Sequence, residues 1–159
     1  MGIKINMKKS LLLAALVLLA TTAASAARKA IYKPWENGRL KVSDNQRYLV
    51  HENGKAFFWL GNTSWLMPER LNRDEVEYFL DKERQCGYNV EQIQVLNAIP
   101  TFNVYGQQAN NKEFDFSRVS RPGIYGYWEH MDYIVDQAEK NGIYIAMDCI
   151  WGSMIGDMD

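Results

Sequence analysis

The sequence is poor in cysteine and histidine, which limits the kinds of site that it can hold. It has two cysteines, Cys86 and Cys149, without C-x-x-C spacing. That arrangement predicts neither a disulfide framework nor a zinc site, and we expect one cysteine at a helix end and the other inside a strand. His51 and His130 are isolated, with no cysteine or carboxylate at ligand spacing. We therefore predict no metal and no cofactor.

An excess of positive charge is also missing. Eighteen Lys and Arg residues stand against 19 Asp and Glu residues, giving a net charge of −1. Phosphate binding needs a concentrated basic face, so the charge balance argues against nucleic acid, and we predict no nucleic-acid partner. Long hydrophobic runs are scarce as well. The run from Leu11 to Ala20 is too short to span a bilayer comfortably, and none of the later ones is longer.

The first residues have the pattern of a targeting signal. Lys4, Lys8 and Lys9 precede the apolar run, and Ala24-Ser25-Ala26 is a small-residue cleavage site. We predict that residues 1–26 are a signal peptide cleaved near Ala26, and that the protein is periplasmic or secreted with no membrane partner after cleavage. The 133 residues that remain would carry a net charge of −4.

One stretch, Phe57 to Trp65, organises the rest of the chain. The apolar residues from Ala56 to Leu60 predict a buried core strand that Gly61 ends. Small polar residues and Trp65 follow at once. In parallel α/β sheets, ligands bind at the carboxyl ends of the strands. An amide, two hydroxyls and an indole at such an end suit a hydroxyl-rich ligand such as a sugar. A capped turn with a packed tryptophan is the alternative.

The remaining patterns predict alternating strands and helices. We expect a lead-in segment over residues 27–46 and an α/β domain over residues 47–159. Within that domain we predict a hairpin with a type I′ turn at Asn53-Gly54, a helix from a cap at Asn72 to Gly87, a strand at Tyr88–Leu96, a packed loop at Asn97–Gly126, a helix at Tyr127–Asn141 and a strand at Ile143–Ile150. This order favours βαβ units and a parallel sheet.

Three blocks together resemble a known family. They are FFWLGNTSW, GYNVEQIQVLN (Gly87 to Asn97) and YWEHMDYIVDQAEKNGIYIAM (Tyr127 to Met147), followed by Trp151-Gly152. In this order they are similar to the N-terminal portion of apiosidase-like glycoside hydrolases, the family 140 type often labelled endoglucanase. The chain departs from the family pattern in having Asn62 where Asp is usual, and Cys149-Ile150 where Pro-Thr precedes the Trp-Gly pair.

The resemblance implies the fold and the activity. It implies the N-terminal part of a (β/α)₈ barrel, with about three parallel strands and two helices preceded by a β-hairpin. A whole barrel takes about 250 residues, so we expect an incomplete one here. The implied activity is cleavage of glycosidic bonds in complex, plant-derived polysaccharide. The family's catalytic carboxylates would lie on later strands beyond Asp159, so the fragment itself is expected to be inactive.

We predict a substrate-binding site but assign no catalytic residue. The predicted binding residues follow the three strands: Asn62 and Trp65 the first, Asn97 the second and Trp151 the third. Tryptophan offers an apolar face and an N–H donor, and amides match paired hydroxyls. Three carboxylates lie near strand ends. Asp148 is expected to be buried and hydrogen-bonded within its strand, with Gln92 and Gln94 lining the barrel interior, whereas Asp157 and Asp159 are expected in a solvated loop.

Two other functions stay open at this point. The chain could be a non-catalytic carbohydrate-binding α/β module that holds oligosaccharide through Trp65 and Trp151. Its parallel edge strands would then carry unpaired amides, which speaks against an independent module. Alternatively, it could be a truncated fragment without function.

Overall fold

A computed structural model describes residues 31–110 and 123–156. The predicted signal peptide, residues 27–30 of the lead-in, Phe114 and Phe116 of the predicted loop, and Asp157 and Asp159 lie outside the described residues. The described elements are a 3₁₀ helix at Pro34–Asn37, strands β1 (Leu40–Val42), β2 (Leu49–His51), β3 (Ala56–Phe57), β4 (Gly61–Thr63), β5 (Val90–Leu96) and β6 (Tyr144–Ile150), and helices α1 (Met67–Arg70), α2 (Arg73–Cys86), α3 (Tyr127–Asn141) and α4 (Gly152–Gly156).

The strands form two sheets of three. Strands β4, β5 and β6 are parallel, with β5 in the middle, and they alternate with α2 and α3 as predicted. Strands β1, β2 and β3 form an antiparallel sheet. The hairpin predicted before the barrel strands is therefore confirmed, and it gains a third strand, β1, from the segment predicted as a lead-in.

The predicted core strand Ala56–Leu60 is wrong in position. Phe57 pairs antiparallel with Leu49, and the parallel ladder begins only at Gly61. Between them Phe58 is 77% exposed and Trp59 48% exposed. The apolar run is therefore the end of the hairpin and a connection, and the first barrel strand is the polar stretch after it. Periodicity could not show this, because it does not reveal which partner a short apolar run pairs with.

A side chain holds this connection in place of a strand ladder. The Asn89 side chain accepts a hydrogen bond from the Leu60 amide (2.9 Å) and donates one to the Phe58 carbonyl (2.7 Å). Beyond it, Gly61 leaves room for the Trp59 indole, whose Nε1 would lie 2.6 Å from a Cβ at that position. These bonds satisfy two backbone groups that have no ladder partner.

The predicted type I′ turn is also wrong, although the hairpin is present. Only Gly54 has a positive φ in the turn, at 83°, whereas a type I′ turn needs two such residues. His51 accepts a hydrogen bond from the Gly54 amide (2.9 Å) and its own amide donates to Lys55 (2.8 Å). The loop therefore has three residues, with glycine in the left-handed position that closes such a loop.

Both long helices begin and end where their sequence signals predict. Asn72 and Glu75 form the predicted capping box at the start of α2, each side chain accepting from the other residue's amide. Gly87 and Gly142 end α2 and α3 in the left-handed conformation. Cys86 is the last residue of α2 and Cys149 lies within β6, as predicted, and both are free thiols.

The parallel sheet has two faces that differ in chemistry. Because side chains alternate along a strand and partners in register share a face, one face carries Glu91, Ile93, Val95 and Ile145 and packs against α2 and α3 in the main hydrophobic core. We call this the helix face. The opposite face, which we call the inner face, carries Thr63, Gln92, Gln94, Ala146 and Asp148 in its middle, with Val90 and Tyr144 below them and Leu96 and Ile150 above. The polar character of its middle is unusual, since barrel interiors are dominated by bulky apolar side chains.

The loop after β5 is anchored by polar side chains over its described part. Thr101 donates to the Glu69 carboxylate (3.0 Å), which ties the loop to α1. Asn103 accepts from the amides of Tyr105 and Gln107 and donates to the Tyr125 carbonyl (2.9 Å). Hydrogen bonds thus hold the described part of the loop, residues 97–110 and 123–126, but Phe102, Ile124 and Tyr125 are exposed, so the predicted packing is present only in part.

Two further findings concern only the described part of the chain. No helix there is long and apolar enough to cross a membrane. Within the same residues, no group of three or more His, Cys, Asp or Glu side chains could hold a metal ion.

Candidate functional site

The candidate site lies at the carboxyl ends of the three parallel strands. Trp65 follows β4, Asn97 follows β5 and Trp151 follows β6. The ladder aligns these ends, since Thr63 lies opposite Gln92 and Leu96 lies opposite Ile150. Parallel strands carry their ends to one edge of the sheet, which is the edge where α/β barrels bind their ligands.

Side-chain contacts join three of the predicted residues. The rings of Trp65 and Trp151 meet edge to face, with centroids 5.3 Å apart and planes at 64°. The indole Nε1 of Trp151 donates a hydrogen bond to Oδ1 of Asn97 at 2.9 Å. Trp151 remains 38% exposed. The cluster of Trp65, Asn97 and Trp151, which we call the rim cluster, is therefore ordered by its own contacts and still open to a ligand.

The main chain fixes the height of Trp65 on the sheet. The Ser64 amide donates to the Gln92 carbonyl (2.9 Å), and the Gln94 amide donates to the Trp65 carbonyl (3.0 Å). The β4–β5 ladder thus continues past the end of β4. Trp65 is consequently beside Gln94, which in turn lies opposite Asp148 on β6.

Asn62 does not join this cluster. It lies in the middle of β4, opposite Glu91, so strand alternation places it on the helix face. Its Oδ1 accepts a hydrogen bond from the Thr63 amide at 2.8 Å. The expected convergence of four residues therefore holds for three, because β4 occupies residues that had been assigned to the segment after the strand. The role of Asn62 in binding stays a prediction.

Below the rim cluster, the inner face carries a hydrogen-bonded carboxylate. Nε2 of Gln92 donates to Oδ2 of Asp148 at 3.1 Å, so the predicted hydrogen bonding of Asp148 is confirmed, whereas Asp148 is half-buried and not buried as predicted. Glycoside hydrolysis requires two carboxyl groups flanking the scissile bond. Asp148 is the single carboxyl on the inner face of the described strands. We therefore assign no catalytic residue among the described residues.

A buried acid on the helix face was missed by the sequence reasoning. Glu91 is fully buried, and neither of its carboxylate oxygens has a hydrogen-bond partner among the described residues. Burial raises the pKa of Glu91 to about 7, and the negative charge of Glu83 adds to the rise. The Ser64 hydroxyl opposes it without reaching hydrogen-bond geometry. The sequence did contain a signal for this burial. Glu91 is spaced by two residues from Ile93 and by four from Val95, so strand alternation places all three side chains on one face.

Comparisons with known proteins bear on the family and the fold. Residues 43–158 match the family described as "Apiosidase-like, catalytic domain". The chain is 54% identical to a solved structure described as a glycoside hydrolase, with a TM-score of 0.75 over 80% of this chain. It is 56% identical to a glycoside hydrolase family 5 structure from Bacteroides vulgatus ATCC 8482, with a TM-score of 0.76 over 81% of this chain. No curated protein matches the sequence.

The matches cover only part of these relatives. This chain spans 28% of the length of each of the two solved chains. The family match and the shared fold confirm the resemblance seen in the sequence and the assignment of an α/β fold corresponding to the N-terminal part of a glycoside hydrolase domain. The Bacteroides vulgatus structure is described as a family 5 glycoside hydrolase, whereas the resemblance suggested family 140.

Proposed function

Because this chain belongs to the apiosidase-like catalytic domain family of glycoside hydrolases, we propose that it forms the sugar-binding part of a glycosidase that cleaves glycosidic bonds in complex, plant-derived polysaccharide. Its partner is then an oligosaccharide or polysaccharide segment bound at the rim cluster.

The contact of Trp151 with Trp65 and Asn97 carries this proposal. Two indoles that meet edge to face provide apolar surface for the C–H face of a sugar ring. Asn97 fixes the orientation of the Trp151 indole through a 2.9 Å hydrogen bond, and its amide nitrogen can donate to a sugar hydroxyl. A pre-ordered aromatic surface loses little conformational entropy when a ligand binds.

Binding and hydrolysis are separate parts of the proposal. The described inner face supplies a single carboxyl group, whereas hydrolysis needs two. We therefore propose that this chain alone binds oligosaccharide without cleaving it.

The experiment is calorimetric titration of the chain with short oligosaccharides from pectin, xylan and cellulose, with product analysis after long incubation. We expect binding without cleavage products for at least one of them. Trp151→Ala should weaken that binding about tenfold or more, because it removes the aromatic surface. Trp151→Phe should lose less, since it keeps a ring and loses only the hydrogen bond to Asn97.

Trp59 offers a matched control. It is another exposed tryptophan, 48% accessible, but it lies before β4 at the opposite end of the strand. Trp59→Ala should leave oligosaccharide affinity unchanged. Equal losses in the Trp59 and Trp151 variants, or no heat with any oligosaccharide, would refute sugar binding at the rim cluster.

Export is a separate proposal that rests on the sequence. Three lysines, an apolar run and Ala24-Ser25-Ala26 are the parts of a secretory signal. We expect the mature chain to begin near Ala27 when it is expressed in a bacterium with a secretion pathway. N-terminal sequencing of the protein recovered from the periplasm or medium tests this. The double variant Ala24→Leu, Ala26→Leu should not be cleaved. A wild-type chain that stays uncleaved in the cytoplasm would contradict the proposal.

A further inference from the structure

The inner face directly below the rim cluster is polar where a barrel interior is ordinarily apolar. Thr63, Gln92, Gln94 and Asp148 occupy it on three neighbouring strands. Gln94 and Asp148 lie opposite each other in the ladder, and the Gln94 amide bonds to the Trp65 carbonyl. Gln94 and Asp148 therefore lie at the level of Trp65, and Thr63 and Gln92 lie two residues earlier on their strands, at the next level below.

The polar groups at these two levels are only partly satisfied. Gln92 donates to one oxygen of Asp148, Oδ2, at 3.1 Å. The Gln94 side chain is 2% exposed, and neither its Nε2 nor its Oε1 has a hydrogen-bond partner among the described residues. A buried amide without partners costs free energy, and native structures pair nearly all such groups with protein, water or ligand.

We propose that Asp148, oriented by Gln92, is a ligand-contacting residue that accepts hydrogen bonds from neighbouring hydroxyl groups of a sugar held against Trp65 and Trp151. This inference rests on the proposed sugar binding at the rim cluster and adds a second, polar set of contacts. Bonds between a carboxylate and hydroxyls are charge-assisted and stronger than neutral ones.

Each of the two glutamines has a distinct part in this site. Gln92 is a positioning residue, since its amide holds the Asp148 carboxylate on the inner face. The side-chain amide of Gln94 gains its hydrogen-bond partners when the ligand binds, either from a sugar hydroxyl or from a water held between Gln94 and the sugar. On this proposal, the unliganded chain retains an energetic penalty at the Gln94 side chain that ligand binding removes.

The experiment titrates variants with whichever oligosaccharide the panel shows to bind, and with forms of it lacking one hydroxyl at a time. Asp148→Asn should weaken binding about tenfold, because it removes the charge while keeping the shape. Gln92→Leu should weaken it less. Asp136→Asn, at an exposed position of α3, is the matched control and should have no effect.

The deoxygenated ligands separate contact from structure. If Asp148 binds a hydroxyl, one deoxygenated form will bind the wild-type chain and the Asp148→Asn variant equally well. A loss of the same size with every form would refute the contact. Asp148→Asn binding as tightly as wild type, while Trp151→Ala still loses affinity, would overturn this inference and leave the proposed function standing. If neither Asp148→Asn nor Trp151→Ala lost affinity, the result would contradict both this inference and the proposed function.

Replacement of Gln94 should change stability and ligand affinity in opposite directions. Gln94→Met keeps the volume and removes the unpaired polar atoms. We expect it to raise the thermal unfolding midpoint of the unliganded chain while weakening oligosaccharide binding severalfold. A lower midpoint would show that the Gln94 side chain already has hydrogen-bond partners without ligand, and it would contradict the role proposed for Gln94.

Discussion

Glu91→Gln is expected to stabilise the protein by about 3 kcal/mol above about pH 8. The Glu91 carboxyl is fully buried, and its oxygens have no hydrogen-bond partner among the described residues. Burial raises its pKa from an ordinary value of 4.5 to about 7. Ionising it inside the fold therefore costs free energy that ionising it in the unfolded chain does not, and glutamine removes that cost.

The sign of the pH dependence follows from proton counting. Between about pH 4.5 and pH 7 the folded protein binds more protons at Glu91 than the unfolded chain does. Stability must then fall as pH rises through this window. The advantage of Glu91→Gln should be absent below about pH 4.5, where both states are protonated, and complete above about pH 8.

Urea unfolding at several pH values measures this effect. Glu139→Gln, at an exposed position of α3, removes the same charge and should change stability little at any pH. If Glu91→Gln lowered stability in alkaline solution, the Glu91 carboxylate would have to be paired in solution, and the structural account of it would be wrong.

His130 contributes a pH dependence of opposite sign. It is fully buried on α3, where its Nε2 donates to the Leu71 carbonyl at 3.0 Å. Burial lowers the pKa of His130, and the nearby charge of Arg73 lowers it further, although the bond to Leu71 opposes them. Below about pH 6.5 the unfolded chain then binds more protons at His130 than the folded protein does, so His130 lowers stability as the solution becomes acidic. Glu91 variants are therefore best compared with wild type at each pH.

Gly142→Ala is expected to destabilise the protein by about 3 kcal/mol, well beyond the cost of replacing a helix-ending glycine that has free space around it. Gly142 ends α3 with a φ of 73°, and a Cβ there would lie 2.2 Å from the Tyr32 carbonyl oxygen. Alanine would thus add left-handed strain and also force the main chain at Tyr32 away. Overpacking of this kind costs about 1–3 kcal/mol in addition to the strain.

Gly87 is the matched control for this substitution. It ends α2 with a φ of 92°, and a Cβ there would meet no atom within 4 Å. Gly87→Ala should cost only the backbone strain, about 1–2 kcal/mol. Urea unfolding of both variants gives the difference directly. Equal costs would show that the segment around Tyr32 does not hold its position against α3 in solution.

The site was predicted in part, and the contacts explain which part. Trp65, Asn97 and Trp151 could be placed at one edge because each follows a strand, and parallel strands end at a common edge. That the Trp151 indole donates to Asn97 and meets the Trp65 ring could not be predicted, because these contacts join residues up to 86 positions apart. Asn62 was misplaced because its strand had been assigned to the apolar residues before it.

By itself, the sequence determined the two long helices, their ends and the parallel order of the strands, but not the short helices α1 and α4. Asn72 with Glu75, and the cap glycines Gly87 and Gly142, act through atoms only a few residues away, so their effect is present in the local sequence. Tertiary structure decided the register of β4, the face of Asn62 and the burial of Glu91. A shift of one residue in pairing moves every side chain to the other face, and the pairing partners lie far away along the chain.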